Sequence, residues 1–379
     1  MRALLHIGHA QPDAAQLQQF LAHNWGALME NGVLYPSVEA EGVAHNLCSL
    51  IRTADQKPSH NTLIQAPHTA LAHALWSAHP NGQDRPPHVV PPAFSALPYV
   101  VQQVKTIEAQ IAQLKPETLV LSAPELALAA HYDTAAMDRM AALLKGYDVA
   151  IYCVLQRPDL HLPHVHHARI AAGEKLDTLA ASMQNAYFDS VHFDYSKLLE
   201  PWQKSFPEAQ IILRSPQDVA ASGGLVRDFI KQAKVPVPTD LTLSDPEPTQ
   251  ADLLAWSEVL RRANHLTDDP SAQALLQDAI TTTQTRRALP RDEQIDFFCS
   301  DLRAQMHEAF APIHDQISQF HKDGTALFPD LDAMSISPAL SLDQATSDSF
   351  KALRRSHWPL FQPAPLRGLL RALKQEILL

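Results

Sequence analysis

The sequence predicts an α/β protein built on a parallel sheet, and three observations carry that prediction. Four short apolar runs, RALLHI (2–7), TLVLS (118–122), VAIYCVL (149–155) and QIIL (210–213), have the length and composition of buried strands. Stretches of helical periodicity separate them, which puts the strands in parallel βα order with helices covering both faces of the sheet. Beyond about residue 236 no convincing strand is found, and the periodicity is helical over 249–265, 270–285, 291–321 and 344–378. The expected organisation is an α/β core over 1–235 and a mostly helical C-terminal extension over 236–379 packed on it.

After the first strand Gly8 opens a turn. From Pro12 the apolar positions Leu17, Phe20, Leu21, Trp25 and Leu28 recur at helical spacing, and Asn31-Gly32 ends that helix. Val33-Leu34-Tyr35-Pro36 then leads into a loop. The stretch 78–98 carries Pro80, Pro86, Pro87, Pro91, Pro92 and Pro98, which excludes a helix or a central strand and predicts a long surface loop or lid. Helices are expected over 99–114, 125–145, 164–186, 195–206 and 222–233. At the C-terminus, Leu366, Leu369, Leu370, Leu373 and Ile377 with Arg367, Arg371 and Lys374 form a basic amphipathic helix. Residues 366–378 are therefore expected to dock on their own domain or on a partner.

The chain has 379 residues, 46% hydrophobic and 19% charged, with 29 Pro against 11 Gly, a composition that folds. Its formal charge of −11 argues against binding nucleic acid or other polyanions through a general field. No apolar run approaches the roughly 18 residues of a membrane span, and the N-terminal apolar stretch is too short for a leader, so a cytoplasmic protein is expected. Cys48, Cys153 and Cys299 are an odd set without zinc spacing and read as buried thiols in a reducing compartment. The 20 histidines include the cluster His161-x-x-His164-x-His166-His167, which has only Asp159 nearby to complete a ligand set, so no metal site is expected.

Several segments, taken in order, resemble one family. His6-Ile7-Gly8, Leu17-Gln18, Phe20-Leu21 and Gly32-Val33-Leu34-Tyr35-Pro36 fall without a gap in the register of H-I-G-x-P-K-T-G-T-T-S-L-Q, a helix and G-V-L-Y-P. VAIYCVLQRPD (149–159) is similar to a strand running into L-R-R-x-D, and FDYSKLLEPWQKSFPEAQIILRSPQD (193–218) to D-Y-x-x-L-L-x-x-W-x-x-x-F followed by a strand. GLVRDFIKQAKVP resembles D-L-V-x-D-F-L, and GTALFPD resembles G-x-x-L-F. These are motifs of the bacterial P-loop sulfotransferases, which use 3′-phosphoadenosine 5′-phosphosulfate (PAPS). The resemblance spans nearly the whole chain. It implies a P-loop NTPase-like three-layer fold and sulfuryl transfer from PAPS to a hydroxyl of a carbohydrate or small metabolite.

On that register Gly8, His9, Asp13, Ala14 and Ala15 would surround the phosphosulfate, with Gln11 at the position of the catalytic Lys. Arg157 would hold the 3′-phosphate together with His164, which stands in the place of the family's Ser. His45 would be the general base for the acceptor hydroxyl, and the family's S-S-E maps to Ser122-Ala123-Pro124 with Glu125 one residue further on. The departures concentrate in the loop: Gln11 carries no charge, Pro12 lacks an N–H donor, Asp13 brings a carboxylate to an anion site, and Ala14 and Ala15 lack hydroxyls. Three readings stay open at this level. One is a sulfotransferase with Gln11 as a weaker electrophile. The second is a catalytically inactive relative serving as a glycan-binding or partner-binding module. The third is a transferase with another donor.

Overall fold

The structure is a computed structural model that describes residues 1–9, 12–51, 61–77, 94, 98–238, 241, 254–284, 288–357 and 362–378. The proline-rich stretch expected to form a loop lies outside the described residues apart from Phe94 and Pro98.

In chain order the chain forms β1 (Arg2–Gly8), α1 (Pro12–His23), α2 (Trp25–Glu30), β2 (Val33–Leu34), α3 (Ala40–Ile51), α4 (Thr62–Gln65) and α5 (Pro67–Ser77). There follow α6 (Val100–Leu114), β3 (Thr118–Ser122), α7 (Ala129–Tyr132), α8 (Thr134–Leu143) and β4 (Asp148–Val154). Next come α9 (Pro158–Ala171), α10 (Leu179–Ser182), α11 (Tyr195–Ser205), β5 (Gln210–Arg214), α12 (Pro216–Ala221) and α13 (Leu225–Gln232). The C-terminal part holds α14 (Ser257–Leu266), α15 (Pro270–Gln284), β6 (Ile295–Asp296), α16 (Ser300–Ser318), β7 (Leu340–Ser341), α17 (Leu342–Ser356) and α18 (Ala364–Leu378).

The chain divides into two compact units, and not by the single cut at 235 that the sequence predicts. The first unit is Met1–Gln156, Tyr195–Thr249 and Ile313–Pro329; the second is Arg157–Asp194, Gln250–Pro312 and Asp330–Leu379. Each unit therefore draws on separated stretches of sequence, a kind of exchange that local periodicity does not encode.

In the first unit five parallel strands lie in the order β2-β3-β1-β4-β5. Every residue of β3 is buried, and Ala3, Leu4, Leu5 and Ile7 of β1 are fully enclosed, as a sheet covered on both faces demands. The register runs Arg2 to Thr118 and His6 to Ser122 on one side, Arg2 to Asp148 and Gly8 to Val154 on the other. Leu17, Phe20 and Leu21 give α1 a buried face, each contributing about 1.5–3 kcal/mol of burial. Because β1 lies between β3 and β4, its C-terminal end is where the connections diverge, the crevice in which open α/β sheets hold ligands.

Several expectations needed correction here. The helix predicted over 164–186 is interrupted, because α9 ends at Ala171 with Gly173 at φ +92° and α10 begins only at Leu179. The helix predicted over 125–145 is broken, because the Asp133 carboxylate accepts from the Ala135 N–H at 2.9 Å and from Arg139 at 2.8 Å, so that it starts α8 afresh. The helix predicted over 222–233 starts instead at Leu225, after Gly223 and Gly224 at φ +82° and +104° close α12. Val33–Leu34, ahead of the expected loop, is a two-residue edge strand on β3, and the C-terminal part is not free of strands, since β6 and β7 pair in parallel.

In the second unit α14, α15, α17 and α18 share one core. Leu366, Leu369, Leu370 and Leu373 of α18 pack among Trp256, Val259, Leu276, Ile280, Phe350 and Leu353. The apolar stripe that the sequence offered to its own domain or to a partner is covered by the chain itself. Of the three thiols only Cys153 is buried; Cys48 and Cys299 are exposed, contrary to the expectation for all three.

Candidate functional site

At the C-terminal end of β1, Gly8 has φ +133°, and a Cβ there would overlap the Val154 carbonyl and lie 2.8 Å from the Val154 nitrogen. Only glycine fits so close to β4. His9 is locked into the same corner. Its N–H donates to the Val154 carbonyl at 2.9 Å, and its Nδ1 accepts from the Gln156 N–H at 3.1 Å. The ring stands edge-on to Tyr195 at 4.8 Å, whose hydroxyl donates to the Gln156 carbonyl at 2.7 Å. α1 begins at Pro12; Ala14 is buried and Ala15 exposed, and neither carries a side-chain donor. Gln11 and the Asp13 side chain lie outside the described residues.

The neighbouring end of β3 carries a chain of neutral hydrogen bonds that reaches one carboxylate. Gln18 Nε2, on α1, donates to the Ser122 carbonyl at 2.9 Å and to Thr69 Oγ1 at 3.1 Å. The Thr69 hydroxyl, on α5, donates to Glu125 Oε2 at 3.3 Å. Pro124 turns the chain just past β3 and leaves Glu125 partly exposed at the carboxyl edge of the sheet. Burial raises the Glu125 carboxyl above its ordinary range, against the pull of its own backbone N–H and of Thr69. Tyr35 is pushed up in turn, by burial first and then by the Glu125 charge. No Lys or Arg among the described residues is paired with Glu125.

Beneath this edge two buried histidines are tied to Ser122. The Ser122 N–H donates to His68 Nδ1 at 3.1 Å, and His6 Nδ1 lies 2.8 Å from Ser122 Oγ. Burial lowers both imidazoles to about 3, so they are neutral at physiological pH. In the same unit Arg214 at the end of β5 binds the buried Asp228 through Nε at 2.8 Å and Nη2 at 2.7 Å, with the Tyr152 hydroxyl donating at 2.6 Å. That cluster joins α13 to the sheet, and the segment GLVRDFIKQAKVP did not disclose it because an acidic helix position alone does not name its partner.

In the second unit Arg157 precedes α9 and is 7% exposed. Its Nε and Nη2 donate to the two oxygens of Asp159 at 3.1 and 3.0 Å, and its Nη1 donates to Asp330 Oδ2 at 2.7 Å and to the Asp330 carbonyl at 2.8 Å. Four of the five guanidinium N–H groups are thereby occupied. Arg303, also buried, is held by Asp296 at 2.8 Å and lies 3.8 Å from Asp159. Two guanidiniums thus face three carboxylates, a balance that disfavours an incoming phosphate. The fork that the sequence assigned to the 3′-phosphate is filled by protein carboxylates.

The other expected residues are not gathered. His164 is exposed on α9, about 10 Å along the helix from Arg157. His45 is partly exposed on α3, and among the described residues it makes no hydrogen bond or ion pair. The other cluster histidines face different ways. His166 Nδ1 is 3.1 Å from the Tyr187 hydroxyl, His167 Nδ1 is 2.8 Å from Ser257 Oγ, and His161 lies against the His192 ring at 5.6 Å. Among the described residues no group of three or more His, Cys, Asp or Glu side chains is placed to hold a metal ion, and no helix is long and apolar enough to cross a membrane.

No family model, no curated protein and no solved structure matches the chain.

Proposed function

We propose that the chain keeps a sulfotransferase-like P-loop scaffold, does not use PAPS, and serves as a binding module for a carbohydrate at the carboxyl edge of its sheet. The observation that carries this reading is the state of Arg157, whose donors are spent on Asp159 and Asp330. A phosphate would have to compete with Asp330 for Nη1 and with the buried Asp159 for the rest of the fork. The loop composition supports the same conclusion, since a charged Lys and both hydroxyls are missing where an anion would have to be stabilised. The carboxyl edge still offers Gln18, Thr69 and Glu125, groups suited to hydroxyl donors and acceptors. The test is transfer of labelled sulfate from PAPS to a panel of carbohydrate hydroxyls. The expected result is no transfer above the protein-free rate; turnover would overturn the reading.

Sulfuryl transfer is the second reading, and what favours it is Gly8, which sits at positive φ at the carboxyl end of β1 where a Cβ would meet the Val154 backbone, as the resemblance leads one to expect of a glycine there. On that reading Gln11 would act as electrophile, His45 as base on the acceptor, and loop amides as the phosphosulfate cradle. Loss of the Lys charge alone would cost a factor of about 10²–10³ in rate.

A further inference from the structure

We propose that Glu125, with Thr69 and Gln18, forms a recognition point for a ligand ammonium carried next to a hydroxyl, as in an amino sugar. This rests on the reading that the carboxyl edge of the sheet is the binding face. Three separate elements build the point: Gln18 comes from α1, Thr69 from α5, and Glu125 from the turn after β3. Their hydrogen bonds run in one direction, amide to hydroxyl to carboxylate, so the chain ends on the acceptor group.

The carboxylate is the unusual member. Among the described residues Thr69 is the one side chain that donates to it, and no guanidinium or ammonium is paired with it. Elsewhere the chain pairs its buried carboxylates with arginine: Asp159 with Arg157, Asp228 with Arg214, Glu258 with Arg261 and Arg262. Glu125 is set apart from these because no described residue supplies its balancing charge. Burial penalises the charged carboxyl, and a ligand cation would remove that penalty, whereas a phosphate or sulfate would add to it. Thr69 and Gln18 lie beside the carboxylate, where a hydroxyl on the carbon next to the ammonium would meet a neutral donor or acceptor. The site therefore selects for an amine and against an anion.

The test is calorimetric titration of the full chain at pH 6.5 with glucosamine, N-acetylglucosamine and glucose. Glucosamine is expected to bind about tenfold more tightly than the two neutral sugars, the increment of one partly screened charge pair. Glu125→Gln should abolish that preference, so that glucosamine binds no more tightly than glucose to the variant. Thr69→Val, which keeps the side-chain shape and removes the donor to the carboxylate, should weaken glucosamine severalfold and serves if Glu125→Gln does not fold. Equal binding of all three sugars would overturn this inference and leave the carbohydrate-binding reading standing. A glucosamine preference that survives both substitutions would also overturn it. Absence of binding by any of the three would overturn both.

Discussion

Lowering the pH from 7.5 to 5.0 should destabilise the first unit by several kcal/mol, and His68 shows why. The ring is fully enclosed, and its Nδ1 accepts from the Ser122 N–H at 3.1 Å. Protonation at Nδ1 would set a second N–H against that donor. His6, on the adjacent strand, is enclosed among Ser122, Tyr152 and Phe229. Burial lowers each imidazole from 6.5 to about 3, so in this window the unfolded chain binds protons that the folded chain refuses. Stability is complete above the unfolded value of 6.5 and is lost as pH falls below it toward about 3. At pH 5.0 only the first 1.5 units of each shift have been traversed, about 2 kcal/mol per histidine and about 4 for the pair. That is a large share of the 5–15 kcal/mol typical of a domain. Urea denaturation followed by tryptophan fluorescence at pH 7.5, 6.0 and 5.0 measures it, since Trp25 and Trp202 are enclosed in this unit. His68→Gln, which retains an acceptor for Ser122, should lower stability at pH 7.5 yet shrink the acid loss by about 2 kcal/mol. A midpoint that stays constant between pH 7.5 and 5.0 would refute the reasoning.

Other substitutions separate structural from functional roles. Arg157→Ala should destabilise the second unit by about 2–3 kcal/mol, because buried Asp159 loses its bidentate partner and keeps only Arg303 at 3.8 Å, measured as a fall in its unfolding midpoint without any ligand. Gly8→Ala should cost more than the ~1 kcal/mol of an ordinary glycine replacement, because it meets both positive φ and the Val154 backbone; thermal denaturation would read it. His45→Ala should stay within about 0.5 kcal/mol of the parent in urea midpoint, as expected for a partly exposed side chain with no bond to lose.

Much of the sheet was legible because buried parallel strands are continuous apolar runs, and RALLHI, TLVLS, VAIYCVL and QIIL all became strands. What stayed hidden was short or non-local. Val33–Leu34 and the β6 and β7 pair span two residues each, too few for any period to register. Asp133 reads as an ordinary helix residue until its carboxylate is seen on the Ala135 N–H. The candidate site divided in the same way. Gly8 was visible from its place at the end of an apolar run, whereas the occupancy of Arg157 depends on Asp330, 173 positions away. Glu125 was noticed only as a displaced motif residue; its weight comes from Thr69 and Gln18, which local sequence does not connect to it. The second unit's recruitment of Arg157–Asp194 was likewise invisible, since no composition change marks those boundaries.

The central claim is that the donor nucleotide has no place to bind, and calorimetric titration with adenosine 3′,5′-bisphosphate tests it directly on the unmodified chain. No saturable heat and no rise in melting temperature are expected up to millimolar ligand. Saturable micromolar binding, accompanied by stabilisation of several degrees, would contradict it and return the chain to sulfuryl transfer.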